Sequence, residues 1–304
     1  MFRGLFLGDD IVETARAKVT AADIFLRKQA REPGAGGRTE RRASTNGKAG
    51  ENGGGRKIAA VTAYDYTFAR LVDAAGVDVI LVGDSLGMVM MGLPNTVGVG
   101  MEAMLHHTLS VSRAGPRALL VADMPFLSYD GGVDRVLTNA SRFLQEAGAE
   151  AVKLEGGVRV ADTIRSLVGA NIPVMGHVGL TPQAVHRFGG FKVQGRGRDG
   201  EQVFEDALAV AEAGAFSIVL ESIPLELGRK ITEAVHVPTI GIGAGPHCDG
   251  QVLVLQDMLG LYEEFRPKFA KVYAPLGEQV KEAVSRYVDE VAAGEFPTES
   301  HSFR

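Results

Sequence analysis

Only one cysteine, Cys248, occurs in the 304 residues, so no intramolecular disulfide framework is available and a reducing compartment is expected. No activating partner is legible beside Cys248, and an inert buried thiol is the ordinary state of such a residue. Long apolar runs are missing as well, and none reaches the length of a membrane span. Residues 1–8 are apolar, but Asp9, Asp10 and Glu13 follow at once, where a signal peptide would continue its apolar region and a transit peptide would avoid acids. There is no basic stripe either. The formal net charge is −5, with lysines and arginines scattered among acids, which argues against a nucleic-acid partner. These absences predict a soluble, cytoplasmic protein that engages neither membrane nor nucleic acid.

What is present is enough for one large core. A chain of this length with 45% hydrophobic residues can fill a closed α/β barrel, which typically uses about 250 residues. The chain divides near residue 56. Within an N-terminal extension, 1–30, residues 10–29 can form a helix with Val19, Ala22, Ile24 and Phe25 on a partial apolar face. Residues 31–56 read REPGAGGRTERRASTNGKAGENGGGR, with almost no large apolar side chain to offset the entropy of ordering them, and predict a disordered linker.

From 57 to 304 short apolar runs alternate with amphipathic stretches, the pattern of βα units, and this span is expected to be the catalytic domain. Eight strands fit, at 58–64, 77–84, 118–124, 149–155, 172–178, 216–222, 238–244 and 251–256. Helical segments lie between them at 66–75, 101–113, 133–147, 158–168, 203–213 and 226–234, and Gly76, Gly148, Gly169 and Gly214 suit helix stops. Eight such units predict a (β/α)8 TIM barrel, with a doubly wound open sheet as the alternative.

Four acids, Asp84, Asp123, Glu155 and Glu221, each close one of the apolar runs. In a parallel barrel strand ends converge on one rim, so these residues predict a negatively charged bowl suited to a hard cation. Side chains alternate along a strand, which turns Lys153 and Glu155 inward and Leu154 outward. Taken singly, each acid has an ordinary alternative. Asp84 can cap the turn at Ser85, Asp123 can open a turn before Pro125, and Glu155 can pair with Lys153 or a neighbouring base as a structural ion pair. Several carboxylates at one mouth without a counter-ion are unfavourable, so their joint occurrence favours a bound cation, and an all-oxygen donor set favours Mg²⁺ over Zn²⁺.

Other features carry less. His177 ends strand five, where it can donate a hydrogen bond to a substrate or serve the structure alone. His106 and His107 fall in a helix and diverge around its axis, so they make poor joint ligands. The loop 189–197 holds Lys192 and Arg196, consistent with a lid or with an ordinary flexible loop. Gly241-Ile-Gly243-Ala-Gly245-Pro246 places a proline where a dinucleotide fingerprint needs its last glycine, so no nicotinamide cofactor is implied.

The strings TAYDYTFARL (62–71), LVGDSLGMVMMG (81–92), VADMPF (121–126), AVKLEGG (151–157), GHVGLTPQ (176–183), GGFKVQGRG (189–197), VLESIP (219–224), GIGAGPHCDGQVLVLQDMLG (241–260) and FPTESHSF (296–303) resemble the ketopantoate hydroxymethyltransferase family. The resemblance implies a Mg²⁺-dependent barrel that moves a one-carbon unit from 5,10-methylenetetrahydrofolate to 3-methyl-2-oxobutanoate, giving 2-dehydropantoate through a stabilised enolate. It also implies a ring-like homo-oligomer, a decamer. By position, Asp84, Asp123 and Glu155 match the metal ligands; Asp84, Ser85, Asp123 and Lys153 match groups near the keto acid; Glu221 matches the general base. His177 is added as a candidate substrate contact. Two departures from the family pattern stand out. The 31–56 stretch separates the N-terminal helix from strand one, and Val97-Gly-Val-Gly100-Met replaces a Pro- and Thr-containing stretch, which predicts a looser loop. Rival readings are a Mg²⁺-dependent carbon–carbon lyase, whose signature cysteine loop is not visible, and a barrel that has lost catalysis and serves as a scaffold.

Overall fold

The computed structural model describes residues 17–30, 55–262 and 267–303. Its eight strands are β1 (Ile58–Thr62), β2 (Val79–Val82), β3 (Leu119–Asp123), β4 (Ala151–Glu155), β5 (Val174–Gly179), β6 (Ser217–Glu221), β7 (Thr239–Ile242) and β8 (Gly250–Leu253). All pair in parallel and in sequence order, and β8 returns to β1, so the sheet closes and the open-sheet alternative is excluded. Between them run α2 (Tyr66–Ala74), α3 (Leu86–Val89), α4 (Met101–Ser112), α5 (Val133–Gln145), α6 (Ala161–Gly169), α7 (Val185–Phe188), α8 (Asp199–Glu212), α9 (Leu225–Ala234) and α10 (Leu255–Met258). A first helix, α1 (Ala21–Gln29), precedes the barrel and a long one, α11 (Leu276–Ala293), follows it.

Strand alternation divides the apolar residues between two cores. Val79, Leu81, Leu119, Val121, Ala151, Met175, Val219 and Ile240 fill the barrel interior, while their sequence neighbours Ile80, Leu120, Val152 and Ile218 face the helices. Strands buried on both faces are expected to read as near-continuous apolar runs, as these do.

The α1 helix closes the lower face of the barrel. Thr20 and Asp23 form a capping box at its start, and Ile24 is fully buried in the interior cluster, worth roughly 1.5–3 kcal/mol. Most of its polar contacts go to residues just before strands: Arg27 to Asp78 at 3.0 Å, Lys28 to Asp249 at 3.2 Å, and, from the residues preceding it, the Val19 amide to the Arg117 carbonyl at 2.8 Å. Lys28 also donates to the Thr232 carbonyl on α9. The 10–29 helix is thus seen as Ala21–Gln29; residues 1–16 and 31–54, including nearly all of the predicted linker, lie outside the described residues.

Three of the four glycine stops behave as expected, Gly76, Gly148 and Gly214 having φ of +90°, +73° and +98°. Gly169 does not. It is the last residue of α6, and Asn171 makes the left-handed turn instead at φ +64°, a conformation that asparagine tolerates better than other side chains. The 97–101 stretch also differs from expectation. Val99 is buried, and a Cβ on Gly87 would fall 2.5 Å from its Cγ2, so the loop is anchored by close packing rather than loosened by its glycines.

Candidate active site

Every second residue along β3 to β6 faces the barrel axis, and each of these strands carries a polar residue on that face at or near its end. Asp123 follows Leu119 and Val121 on β3; Lys153 and Glu155 follow Ala151 on β4; His177 follows Met175 on β5; Glu221 follows Val219 on β6. Asp84 arrives by a different route. β2 ends at Val82, and the turn at Gly83 brings the Asp84 amide to within 3.1 Å of Asp123 Oδ2, which accepts its hydrogen bond. A Cβ on Gly83 would lie 2.9 Å from Ser85 Oγ and so displace that hydroxyl, while Asp123 Oδ2 would stand at an ordinary contact distance of 3.5 Å.

Asp84, Asp123, Lys153, Glu155 and His177 are buried, and with Ser85 and Glu221 they line one cavity of ≈ 360 Å³. All seven residues singled out from the sequence therefore meet. Neither a cap from Asp84 nor a Lys153–Glu155 pair is what forms, although His177 Nδ1 stands 3.5 Å from Glu155 Oε1. Ser85, not Asp84, occupies the cap position of α3 and makes no capping bond; its hydroxyl lies 2.8 Å from that of Tyr64. Lys153 pairs with Asp123 at 3.1 Å, while Glu155 accepts from the Gln183 amide at 3.0 Å.

Gln183, in the quoted GHVGLTPQ string but assigned no role there, is the residue that sequence reasoning missed. Its side-chain amide donates to Asp84 Oδ2 at 2.8 Å and to the Met124 carbonyl at 3.0 Å, and its carbonyl oxygen accepts from Tyr129 at 2.7 Å. A glutamine in a polar loop gives no sequence signal for this; the return of the chain after β5 creates it.

Burial raises the Asp84 carboxyl to about 7, with Asp123 adding repulsion, and burial also holds Glu155 well above the ordinary carboxylate range. Burial by itself would lower the Lys153 ammonium, but Asp123, Glu155 and Asp84 outweigh it and keep the group charged. His177 is pushed well below its usual value by burial and by Lys153, so its ring is neutral. Glu221 is raised by burial to about 7. Asp123 Oδ1 and Glu155 Oε1 are buried without a hydrogen-bond partner, although Lys153 provides charge nearby. Orphaned oxygens on repelling carboxylates fit a hard cation, which would relieve both costs. Among the described residues no three Asp, Glu, His or Cys side chains are already gathered as a metal cage. Mg²⁺ does not require one, since it is commonly held by one or two carboxylates and completes its shell with water and substrate oxygens.

A family model described as ketopantoate hydroxymethyltransferase matches residues 47–299. The chain belongs to that family. A 3-methyl-2-oxobutanoate hydroxymethyltransferase of Pelobacter propionicus is 53% identical over 288 residues, covering 95% of this chain and 98% of that one. One from Trichlorobacter lovleyi is 59% identical over 249 residues, 82% of this chain and 94% of its own length. Among solved structures, phosphonopyruvate hydrolase in complex with oxalate and Mg²⁺ aligns with a TM-score of 0.52 at 15% identity, over 82% of this chain and 87% of that one. A 2,3-dimethylmalate lyase of the PEP mutase/isocitrate lyase superfamily aligns with a TM-score of 0.52 at 17% identity, over 80% and 82% of the two chains. At such identities these two speak to the barrel alone. Membership in the ketopantoate hydroxymethyltransferase family makes the protein an enzyme, a transferase, and ranks the lyase and scaffold readings behind it.

Proposed function

We propose that this enzyme transfers a hydroxymethyl group from 5,10-methylenetetrahydrofolate to 3-methyl-2-oxobutanoate, giving 2-dehydropantoate for pantothenate synthesis. The observation that carries the reading is the pair His177 and Glu221. The Glu221 carboxyl, raised to about 7, shares one cavity with the charged Lys153 and with Asp84, Asp123, Glu155 and Asp257, and a neutral imidazole stands 3.1 Å from it. That is the equipment for removing a proton from carbon next to a carbonyl.

Asp84, Asp123 and Glu155 are the proposed magnesium ligands, and Asp84, Ser85, Asp123, Lys153 and His177 the proposed contacts of the keto acid. When bound there, Mg²⁺ supplies Lewis-acid polarisation of the keto carbonyl. Glu221, on β6 and away from the three ligands, takes the proton from C3 of the substrate. The Lys153 ammonium offsets the negative charge that develops on the keto oxygen. C3 then attacks the methylene carbon of the folate, forming the new carbon–carbon bond as one methylene C–N bond opens. Water gives its hydroxyl to that carbon as the second C–N bond breaks, and the protons from C3 and from water go to the two nitrogens of the departing tetrahydrofolate. The loop 189–197 places Phe191, Lys192 and Val193 on the cavity wall, and its Gln194 amide donates to the Ser222 carbonyl at 2.9 Å, so this loop is suited to screening the reaction from bulk water.

A homo-oligomer, with the decamer implied by the resemblance, is part of the proposal. The 18-residue α11 buries none of its residues and exposes Val280, Val284, Tyr287, Val288 and Val291 along one side, a stripe suited to a second copy of this chain. The cytoplasm is the proposed location; among the described residues no helix is long and apolar enough to cross a membrane.

The reaction is tested by NMR in D₂O. The Mg²⁺-loaded enzyme is expected to exchange the C3 proton of 3-methyl-2-oxobutanoate without folate, then to form 2-dehydropantoate once 5,10-methylenetetrahydrofolate is added. A wild type that exchanges nothing overturns the proposal.

A further inference from the structure

The part of the cavity lined from β7 and β8 is chemically unlike the acid-rich part. Ile242, Val252 and Val254 line it, with the ring of Phe269 alongside. Phe269 packs against the interior cluster and is seated on the loop after β7: a Cβ on Gly243 would fall 2.8 Å from its Cδ1, so the glycine at φ +67° is what lets the ring lie there. Lys268, next to Phe269 in the chain, also lines the cavity, and one carboxylate stands among these mostly apolar walls. Asp257, on α10 directly after β8, is only 8% exposed, lines the cavity, and its side chain makes no hydrogen bond or ion pair with any described residue.

Burial pushes its carboxyl up to about 6, so it is mostly ionised at neutral pH with no partner among the described residues. Its oxygens are open to the cavity, where a ligand that brings N–H donors can meet them in place of water. The keto acid is an unsuitable ligand here: it is itself an anion, and Lys153 and the proposed cation site lie in another part of the cavity.

We propose that Asp257 recognises the pterin of the folate co-substrate, its two carboxylate oxygens accepting from the 2-amino group and the adjacent ring N–H. That edge is a cyclic, guanidine-like pair of parallel donors, the geometry that a carboxylate binds in bidentate fashion. The flat bicycle suits walls made of Phe269 and aliphatic side chains. Orientation follows from the closed strand order, in which β8 is four strands from β4 and two from β6. The pyrimidine edge and the nitrogen bearing the one-carbon unit lie at opposite ends of the pterin. Holding the first end at β8 directs the second across the mouth, toward the space between Glu221 and the keto acid.

The assignment rests on the reaction proposed above, and the experiment separates the two. Steady-state KM is measured for 5,10-methylenetetrahydrofolate and for its 2-desamino analogue, with wild type and with Asp257→Asn, whose folding is checked by thermal melting. The wild type is expected to lose roughly ten- to hundredfold in kcat/KM with the analogue, the usual scale for a hydrogen bond to a charged group. Asp257→Asn should lose a similar factor with the parent folate and discriminate between the two by no more than about threefold. Equal use of both folates by the wild type overturns the assignment even if the variant does not fold, as does full discrimination retained in a folded Asp257→Asn. Proton exchange by the wild type without folate is recorded in parallel. If exchange occurs and discrimination does not, only the role of Asp257 fails; if exchange is absent, the reaction itself was misread and the pterin assignment falls with it.

Discussion

His177 Nε2 lies 3.1 Å from Glu221 Oε2, while the opposite ring nitrogen, Nδ1, accepts a hydrogen bond from the Lys153 ammonium at 3.1 Å. Lysine has only donors to offer, so the single proton of the neutral ring belongs on Nε2, facing Glu221. The 3.1 Å contact is not aligned as a finished hydrogen bond. A small rotation of the glutamate would complete it, and catalytic contacts commonly tighten only with substrate present. One imidazole thus links the cation on β4 to the proposed base on β6.

Replacing His177 with phenylalanine removes the donor that favours ionised Glu221. The acidic limb of the pH–rate profile should move to higher pH, with kcat/KM falling about tenfold, the scale of a lost hydrogen bond to a charged group. A variant that slows the reaction with no change in the profile would assign His177 a packing role.

Glu221→Gln removes the proposed base while nearly preserving volume. C3 proton exchange should drop roughly 10²- to 10⁴-fold, with Mg²⁺ affinity by calorimetry close to wild type. In the wild type, exchange should rise with pH through about 7, because the carboxyl must lose its proton to act. Substantial exchange surviving in Glu221→Gln would move the base elsewhere.

Magnesium should stabilise the fold in a pH-dependent way. Asp84 is raised to about 7 and Glu155 is raised in the metal-free fold, so the native state binds more protons than the unfolded chain between the ordinary carboxylate pKa and these higher values. Their stabilising contribution is full below the ordinary pKa and declines as pH rises through the folded values. Melting of the chelated enzyme should therefore fall from pH 5 toward pH 8. Mg²⁺ at about a hundred times its Kd should restore about 2.7 kcal/mol at pH 8, several degrees in Tm, and less at pH 5, where protons compete. A Tm increment independent of pH would separate the ion from these carboxylates.

The stripe on α11 predicts a clean effect on assembly. Val284→Asp combined with Val288→Asp places charges on residues 55% exposed in the single chain, so the barrel should keep its fold while the oligomer dissociates in light scattering. Unchanged mass would show that another surface holds the copies together.

At the lower face, Lys28→Met should cost about 1–3 kcal/mol in chemical denaturation. The lysine is buried against Asp249 and donates to the Thr232 carbonyl, so methionine leaves polar groups short of a donor. A neutral result would make α1 a loosely held cover.

The sequence by itself determined the barrel and most of its mouth. Eight apolar runs with short, amphipathic separators have few ways to bury both faces of a parallel sheet, and two-residue alternation fixes which side Asp123, Lys153, Glu155, His177 and Glu221 face. Asp84 was legible only as a strand-end acid. Along β2 the inward positions are Val79, Leu81 and then Gly83, so strict alternation would have turned Asp84 outward; the strand stops at Val82, and the turn that follows reverses its direction. Tertiary structure alone decided that turn, because it depends on Asp123 accepting from the Asp84 amide 39 residues away. The same holds for Gln183, for α1 across the barrel floor, and for Phe269 against Gly243. Each is defined by contacts between segments distant in the chain, and local periodicity carries no information about which distant segments will meet.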